Sequence, residues 1–262
     1  MLLREVQYAR PASVEEAIDL LAAHEGARPL AGGQTLINVM KARAAAPDVL
    51  VDLADLSELK AISRSGDGAL ELGAMATYSD LMLSPEVAES RPIVARVAAQ
   101  IADVQVRNRG TIGGNVCLSD PTNHFPPLMV ALGATMTIAG PDGEREISAD
   151  EFFLGVYVTA VGPGELLSKI TLPPKQGRDG FSAVTIGKDG TCIVSAAASV
   201  NGSTRVALGC VSATPVVLDA GDDVASSVRE ADFEPPSDVH ASAEYRRHLA
   251  EVVAKRAVDG AE

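Results

Sequence analysis

The sequence predicts an α+β fold built from three subdomains. Helical and strand patterns alternate in the first part, two hairpin signals separate helical segments in the middle, and three consecutive strand patterns precede a terminal helix. The 262 residues suit one large domain or two to three small ones. We place the boundaries near residues 56 and 175. Residues 1–175 then form a domain of two subdomains, and residues 176–262 form a second domain.

The first subdomain is predicted to be a small α/β unit. Ser13 and Glu16 form the S-x-x-E pattern of a helix N-terminus, and Gly26 is the expected end of that helix. The stretch RPLAG that follows has the pattern of a short strand, TLINVMKAR that of a helix, and DVLVDLA that of another strand.

The central subdomain is predicted to mix hairpins and helices. One hairpin turns at Gly66–Asp67–Gly68 and another at Pro141–Asp142–Gly143. Between them SDLMLS and RPIVARVAAQIAD have helical patterns, the second with Pro92 near its first turn, and DPTNHFPPLMVALGA is a loop that leads into a helix. ELLSKITLPP is a strand that ends at two prolines.

The last subdomain is predicted to be a three-stranded antiparallel sheet with helices. Its strands are GFSAVTIG, TCIVSAAASV and TRVALGCVSA, and Asn201–Gly202 between the last two is a strong hairpin signal. The acidic, proline-bearing segment 219–238 has little pattern, and SAEYRRHLAEVVAKRAV forms an amphipathic terminal helix.

Composition excludes several functions. The net charge of −13 argues against a nucleic-acid surface, which needs a basic face. The first ten residues do not form a signal peptide, and no apolar run approaches the ~20 residues of a membrane helix. Cys117, Cys192 and Cys210 lie far apart without a CxxC pair, so we expect no metal site. A cytoplasmic protein with reduced thiols is the simplest interpretation.

Two glycine pairs are the candidate binding motifs. In the first, Gly32 and Gly33 precede Gln34 and Thr35 at the start of a helix, whose free N–H groups favour anions. Neither pair fits GxGxxG or GxxxxGK[ST], so the sequence supports neither the standard dinucleotide fold nor the P-loop.

The second glycine pair adds side-chain donors. Thr111, Gly113, Gly114 and Asn115 offer a hydroxyl, two backbones without side chains, and an amide. Successive N–H groups in such a turn form a nest for an anion. Our hypothesis is that both pairs bind one diphosphate; the alternative is that each is only a tight turn.

The segments AGGQTLINVMKAR and RNRGTIGGNVCLSDP resemble the FAD-binding medium subunit of molybdenum hydroxylases, the family of carbon monoxide dehydrogenase and xanthine dehydrogenase. The family motif A-G-G-x-[ST]-L with a later Met-Lys matches Ala31–Leu36 and Met40–Lys41, and T-I-G-G-N matches Thr111–Asn115. GAMATY, ELLSKITLP, ATPVVL and the terminal helix extend the resemblance over nearly the whole chain.

The resemblance implies FAD as the cofactor and residues 1–175 as the FAD-binding domain. It places the FAD pyrophosphate and the adjacent ribityl or ribose groups against both glycine motifs. The implied FAD-binding residues are Ala31, Gly32, Gly33, Gln34, Thr35, Leu36, Thr111, Ile112, Gly113, Gly114, Asn115, Asp120, His124, Leu167 and Lys188. Two positions depart from the family, because many relatives carry Asp where this chain has His124. Thr185 occupies a position that is often basic, with Lys188 as a nearby substitute.

The resemblance also implies a role in electron transfer. Electrons would come from a large molybdopterin-binding subunit through 2Fe–2S clusters of a small subunit, and FAD would pass them to an external acceptor such as NAD, oxygen or a quinone. A dimer of heterotrimers is the implied assembly. The chain lacks the cysteine-rich insertion for a 4Fe–4S cluster, and no catalytic residue is expected in it. A self-contained FAD-dependent oxidoreductase and a non-enzymatic nucleotide-binding module remain alternatives.

Overall fold

The chain folds into four sheets and a set of mostly short helices, as a computed structural model that describes residues 2–187 and 190–262 shows. A three-stranded, a five-stranded and a four-stranded sheet each belong to one subdomain, and a two-stranded ribbon accompanies the five-stranded sheet. The α+β class with three subdomains is therefore confirmed. The domain boundary near residue 175 stays a prediction.

The first subdomain is a parallel sheet of strand order β1-β3-β2 with two helices. Its elements are β1 Gln7–Ala9, α1 Val14–Ala23, β2 Ala27–Leu30, α2 Leu36–Lys41 and β3 Val49–Asp52. The Ser13 hydroxyl accepts the Glu16 N–H at 3.1 Å, so the predicted helix start is confirmed, whereas β1 was not predicted. The chain leaves β2 through the first glycine pair and enters α2 directly.

The central subdomain is an antiparallel sheet of order β4-β5-β10-β6-β7. Its predicted hairpins are confirmed as β4–β5 and β6–β7. The elements, after a 3-10 helix at Ser57–Lys60, are β4 Ile62–Arg64, β5 Leu70–Gly73, α3 Tyr78–Leu83, α4 Pro85–Ser90, α5 Pro92–Ala98, α6 Val104–Arg107, α7 Ile112–Leu118, α8 Phe125–Ala131, β6 Thr135–Gly140, β7 Gly143–Ser148, α9 Ala149–Phe152, β8 Phe153–Gly155, β9 Val158–Thr159 and β10 Leu166–Leu172.

The last subdomain is an antiparallel sheet of order β11-β12-β13-β14. Its elements are β11 Arg178–Thr185, β12 Cys192–Val200, β13 Thr204–Gly209, β14 Val216–Ala220, α10 Val224–Glu230 and α11 Ala243–Asp259. The prediction of three strands was wrong by one strand. The segment from Val216 pairs with β13, because its alternate side chains, Val216, Leu218 and Ala220, pack on the core while Asp219 faces outward.

The central and last subdomains share a core. Helix α8 packs on β12 and β13, so Ala197 and Ala207 join the same buried cluster as Phe125 and Met129. None of the described helices is long and apolar enough to cross a lipid bilayer.

Candidate functional site

The first glycine turn leaves five backbone N–H groups available to a ligand. Among the described residues, no acceptor takes the N–H of Gly32, Gly33, Gln34, Thr35 or Leu36. Gly33 has a φ of +70°, the left-handed conformation that glycine adopts without strain. Thr35 caps α2 without a side-chain hydrogen bond to the helix. This turn therefore has the unsatisfied donors of an anion site.

The N–H groups of residues 112–115 in the second glycine turn donate to acceptors within the protein. Its four N–H groups lie 2.9–3.0 Å from their acceptors: Ile112 donates to Ala76 O, Gly113 to Ala74 O, Gly114 to Thr111 Oγ1, and Asn115 to Thr111 O. These residues begin α7 with Thr111 as the N-cap. In this conformation these four N–H groups are not available to a ligand, so the second turn contributes only to the shape of the site. Our hypothesis, by contrast, was that N–H groups of both turns bind one diphosphate.

The two turns nonetheless meet. A Cβ atom on Gly32 would lie 2.1 Å from the carbonyl oxygen of Arg109 and 2.8 Å from the Cα of Gly110. A Cβ on the exposed Gly114 would lie 3.8 Å from the Cβ of Ala31. Since only a residue without a side chain fits at Gly32, the sequence specifies this close contact between distant parts of the chain.

A cavity of about 300 Å³ opens beside the first turn. It is lined by Leu30, Ala31, Gly32, Gly33, Gln34, Ile37, Asn38, Lys41, Asp52 and Arg109. Lys41 and Arg109 are exposed, and no carboxylate of the described residues lies within 4.0 Å of either cation. Asp52, the one acidic residue of this lining, accepts the Tyr8 hydroxyl and, at 2.9 Å, the Ala54 N–H. Unpaired cations beside free N–H groups suit an anion, despite the net charge of −13.

Sequence reasoning did not include Asn38, Lys41, Asp52 and Arg109 among the site residues. A signal for two of them was present, because Asn38 and Lys41 follow Gln34 at spacings of four and seven residues. Asn38 and Lys41 are three residues apart and therefore share one face of α2, just beyond Gln34, and all three residues line the cavity. No comparable sequence signal marks Asp52 and Arg109.

Asn115 faces the interior instead of the cavity. Its side chain is 7% exposed, and its Nδ2 donates to the hydroxyl of Tyr78 at 2.9 Å. Burial raises the pKa of Tyr78 to about 12, so the phenol stays protonated. The Oδ1 of Asn115 is buried without a partner among the described residues.

Three further predicted residues lie outside the cavity. Asp120 Oδ1 accepts the N–H and hydroxyl of Thr122 at 2.9 and 2.8 Å, and Tyr157 donates to its Oδ2 at 3.4 Å. Leu167 is 4% exposed in β10, and His124 is 7% exposed with its ring 5.1 Å from that of Phe181. The structure thus brings the two glycine turns together, whereas none of these three residues lines the cavity.

The basic position after β11 remains a prediction. Lys188 lies outside the described residues. Thr185 donates through its hydroxyl to the Gly187 carbonyl at 2.8 Å, so its side chain completes a local turn. Among the described residues, no group of three or more His, Cys, Asp or Glu side chains is arranged to hold a metal ion.

Two family models match the chain. The FAD binding domain in molybdopterin dehydrogenase matches residues 4–175, and the CO dehydrogenase flavoprotein C-terminal domain matches residues 218–261. The carbon monoxide dehydrogenase medium chain of Afipia carboxidovorans is 37% identical over 283 residues, which cover 100% of this chain and 98% of that relative. The nicotine 6-hydroxylase medium subunit of Paenarthrobacter nicotinovorans is 32% identical, with 98% of each chain covered.

A solved structure agrees with these sequence matches. The quinoline 2-oxidoreductase from Pseudomonas putida 86 contains a chain that is 35% identical and superposes with a TM-score of 0.92. The match covers 100% of this chain and 98% of that chain. The protein therefore belongs to the family of FAD-binding medium subunits of molybdopterin dehydrogenases.

Proposed function

We propose that this chain is the electron-transfer flavoprotein subunit of a molybdenum-cofactor hydroxylase or dehydrogenase. Electrons from 2Fe–2S clusters in a partner subunit would pass through its FAD to an external acceptor. Family membership supports this proposal, because the relatives named above are medium chains or subunits of dehydrogenases and hydroxylases. We place the complex in the cytoplasm.

The first glycine turn carries this proposal. Five N–H groups at this turn have no acceptor among the described residues, and three of them belong to Gly32, Gly33 and Gln34, which line the cavity. Gly33 is in a left-handed conformation, and the lining also contains Lys41 and Arg109, which have no ion pair in the described part of the chain. A diphosphate needs several donors and a compensating positive charge, and charge-assisted hydrogen bonds are its strongest contacts. The cavity of about 300 Å³ suits the diphosphate and a neighbouring sugar, so the rest of FAD must extend beyond it.

Each part of the cavity has its own task. The N–H groups of residues 32–36 would hold the phosphate oxygens, and Lys41 and Arg109 would balance their charge. Residues 111–115 would form the adjoining wall, where Gly114 keeps the surface open next to Ala31. Asp120, His124 and Leu167 are not part of this diphosphate site.

The cavity binds rather than catalyses. Bound FAD would supply the capacity to accept and release electrons. The chain's residues hold and orient the cofactor, because Asp52, the one carboxylate in the lining, is already committed to Tyr8 and Ala54. A proton-transfer role for this lining has no support.

The partners follow from the same proposal. A large molybdopterin-binding subunit and a small 2Fe–2S subunit would complete the enzyme, as a dimer of heterotrimers. Co-purification from the native host with two further chains, followed by native mass measurement, tests the assembly. An active, stable monomer would contradict it.

Ligand titration tests the cofactor site. Fluorescence titrations of FAD, FMN and riboflavin compare a diphosphate, a monophosphate and no phosphate. We expect affinity to fall in that order. A Gly33→Ala variant strains the turn, since its Cβ would lie 3.2 Å from Ile37 Cγ1 at a φ of +70°. The loss of one charge-assisted hydrogen bond costs about 1.5–3 kcal/mol, which lowers FAD affinity roughly ten- to a hundredfold.

Gly133→Ala is the matched control. Gly133 has a φ of +65° with open space around its would-be Cβ, so the backbone strain is similar but the site is remote. Wild-type FAD affinity is expected for this control, and unchanged riboflavin binding for Gly33→Ala. Equal FAD losses in both variants, or riboflavin binding as tightly as FAD, would refute the site.

A further inference from the structure

Two buried cysteines lie at the same end of two neighbouring antiparallel strands, β12 and β13, where the central and last subdomains join. Cys192 begins β12 and Cys210 follows β13, and they are 3% and 4% exposed. His124, which precedes α8, is 7% exposed and packs on Phe181 of β11, the strand next to β12. None of these three side chains lines the cavity of the first glycine turn.

A β-bulge in β12 determines the face of the sheet on which the Cys192 side chain lies. Val184 pairs with Val194, but Thr185 pairs with Cys192, so Ile193 is an extra residue in β12. Because paired residues share a face, the bulge turns Cys192 to the same face as Ser195. Regular pairing would have turned the Cys192 thiol to the opposite face.

The orientation of the Cys210 side chain depends on its own backbone conformation and on one hydrogen bond. Its φ is +65°, a left-handed conformation that is uncommon for a residue with a side chain. The thiol donates to the carbonyl oxygen of Pro121 at 3.0 Å, which fixes its sulfur beside the loop before α8. Both cysteines therefore owe their orientation to a local departure from regular strand geometry.

The imidazole of His124 is the third member. Its Nδ1 is buried with no hydrogen-bond partner among the described residues, and its ring packs 5.1 Å from that of Phe181. Contact with Cys210 and with His124 lowers the pKa of the Cys192 thiol, whereas contact with Cys192 and burial raise the pKa of Cys210. The two thiols therefore differ in acidity, and Cys192 is the more acidic of the pair.

We propose that Cys192 and Cys210 form a redox-active dithiol, oxidised by hydroperoxides to an intramolecular disulfide with His124 as the proton acceptor. The Cys192 thiol gives its proton to His124, and the thiolate sulfur attacks a peroxide oxygen, which breaks the O–O bond. The alkoxide or hydroxide that leaves takes the proton from the imidazolium, and Cys192 becomes a sulfenic acid.

The second step closes the disulfide. The sulfur of Cys210 attacks that of Cys192, an S–S bond forms, the S–O bond breaks, and the hydroxide leaves as water with the Cys210 proton. In sum, two thiols and one hydroperoxide give one disulfide, one alcohol or water, and one water. Reduction by a dithiol reverses the change in the protein.

Cys117 provides the contrast within the same chain. Burial raises the pKa of Cys117 to about 12, which keeps it a thiol. No hydrogen bond within the described residues involves its sulfur. We therefore expect oxidation to select the Cys192–Cys210 pair.

Mass spectrometry on the full chain tests the proposal. The reduced protein is treated with one equivalent of hydrogen peroxide, a probe small enough for nearly buried thiols, then blocked with N-ethylmaleimide and digested. The expected product is a Cys192–Cys210 cross-linked peptide that has lost two hydrogens, with Cys117 alkylated. This measurement needs no variant, so it does not depend on the folding of a mutant.

Variants then test the roles. Cys117→Ser should leave the cross-link unchanged, whereas Cys192→Ser and Cys210→Ser should abolish it. At a pH below the Cys192 pKa, His124→Asn should slow formation of the cross-link about tenfold for each unit by which that pKa rises, because less thiolate is present, without changing the final extent. Sulfinic acid without a cross-link, faster oxidation of Cys117, or an unaltered rate in folded His124→Asn protein would overturn the proposal.

Discussion

The backbone of Gly32 lies directly against the carbonyl oxygen of Arg109, where an added Cβ would approach to 2.1 Å. This contact joins the start of α2 to the segment that leads into α7, although 77 residues separate the two positions (109 − 32). Since Arg109 also lines the cavity, the contact sets the position of one cation relative to the free N–H groups.

Gly32→Ala should therefore separate the two turns. A small movement cannot relieve the clash of the added Cβ, because the opposing atom belongs to the main chain rather than to a flexible side chain. We expect FAD affinity to fall by about tenfold or more, with the loss of at least one charge-assisted hydrogen bond. Fluorescence titration measures the change. Gly66→Ala, in an exposed hairpin with nothing within 4 Å of its would-be Cβ, is the control and should bind FAD normally.

Lys41 and Arg109 in the cavity lining should strengthen FAD binding through their positive charges. Lys41→Met is expected to weaken FAD binding about fivefold, as the loss of an exposed ion pair worth roughly 1 kcal/mol predicts. The salt dependence of FAD binding should fall as well, because salt screens exposed charges. Titration at low and high ionic strength measures both effects. Lys255→Met, at an exposed site on α11, should alter neither; equal behaviour of the two variants would exclude Lys41 from the site.

The sequence predicted the hairpins and most strands well, because their signals are local. Glycine and aspartate mark the turns of β4–β5 and β6–β7, and alternating apolar residues mark the strands around them. The two glycine motifs were found for the same reason. Their contact at Gly32 could not be predicted from local pattern, since it depends on how distant segments pack.

Helix α7 shows why part of the site escaped prediction. Two glycines make a segment a poor helix former, so TIGGN was interpreted only as a turn. Packing overrides that propensity, because a Cβ on Gly113 would lie 2.5 Å from the Ala74 carbonyl oxygen, which instead accepts the Gly113 N–H at 2.9 Å. The donors of this motif thus serve the fold, and a sequence alone does not show which acceptors take them.

Arg91 and Asp179 should be a major source of stability between subdomains. The guanidinium Nη1 lies 2.6 Å from the carboxylate Oδ2, and both side chains are at most 5% exposed. Arg91→Met leaves a buried carboxylate without its cation, and we expect a loss of about 3–5 kcal/mol in the free energy of unfolding. Denaturant titration measures it.

Two comparisons make this test specific. Arg91→Met combined with Asp179→Leu should recover much of the loss, because the buried charge is then absent. Arg229→Met breaks an ion pair with Glu251 in which Arg229 is 61% exposed, and it should cost under about 1 kcal/mol. If Arg91→Met lowered the free energy of unfolding as little as Arg229→Met does, the buried ion pair would stabilise the fold no more than a surface ion pair.

Asp238 should make stability depend on acid pH. Hydrogen bonds from the His240 and Ala241 N–H groups, and then from Arg246, lower its pKa from 3.8 to about 2. A lowered carboxylate pKa stabilises the folded state above pH 3.8, and this stabilisation is lost as the pH falls through about 2. Urea titrations of wild type and Asp238→Asn should therefore differ most above pH 4 and converge towards pH 2. A difference independent of pH would contradict this assignment.

The isolated chain should bind FAD without oxidising an organic substrate. Under the proposed electron-transfer role, the cavity holds the cofactor and the organic substrate is oxidised in a partner subunit; the one carboxylate of the lining, Asp52, is already committed to Tyr8 and Ala54. Purified chain loaded with FAD should show no turnover of purines, aldehydes or N-heterocycles, although slow dye reduction by NADH is compatible with this role. The same assay on the complex from the native host is the positive control. Substrate oxidation by the molybdenum-free chain would support the alternative of a self-contained flavin oxidoreductase and would contradict the electron-transfer role.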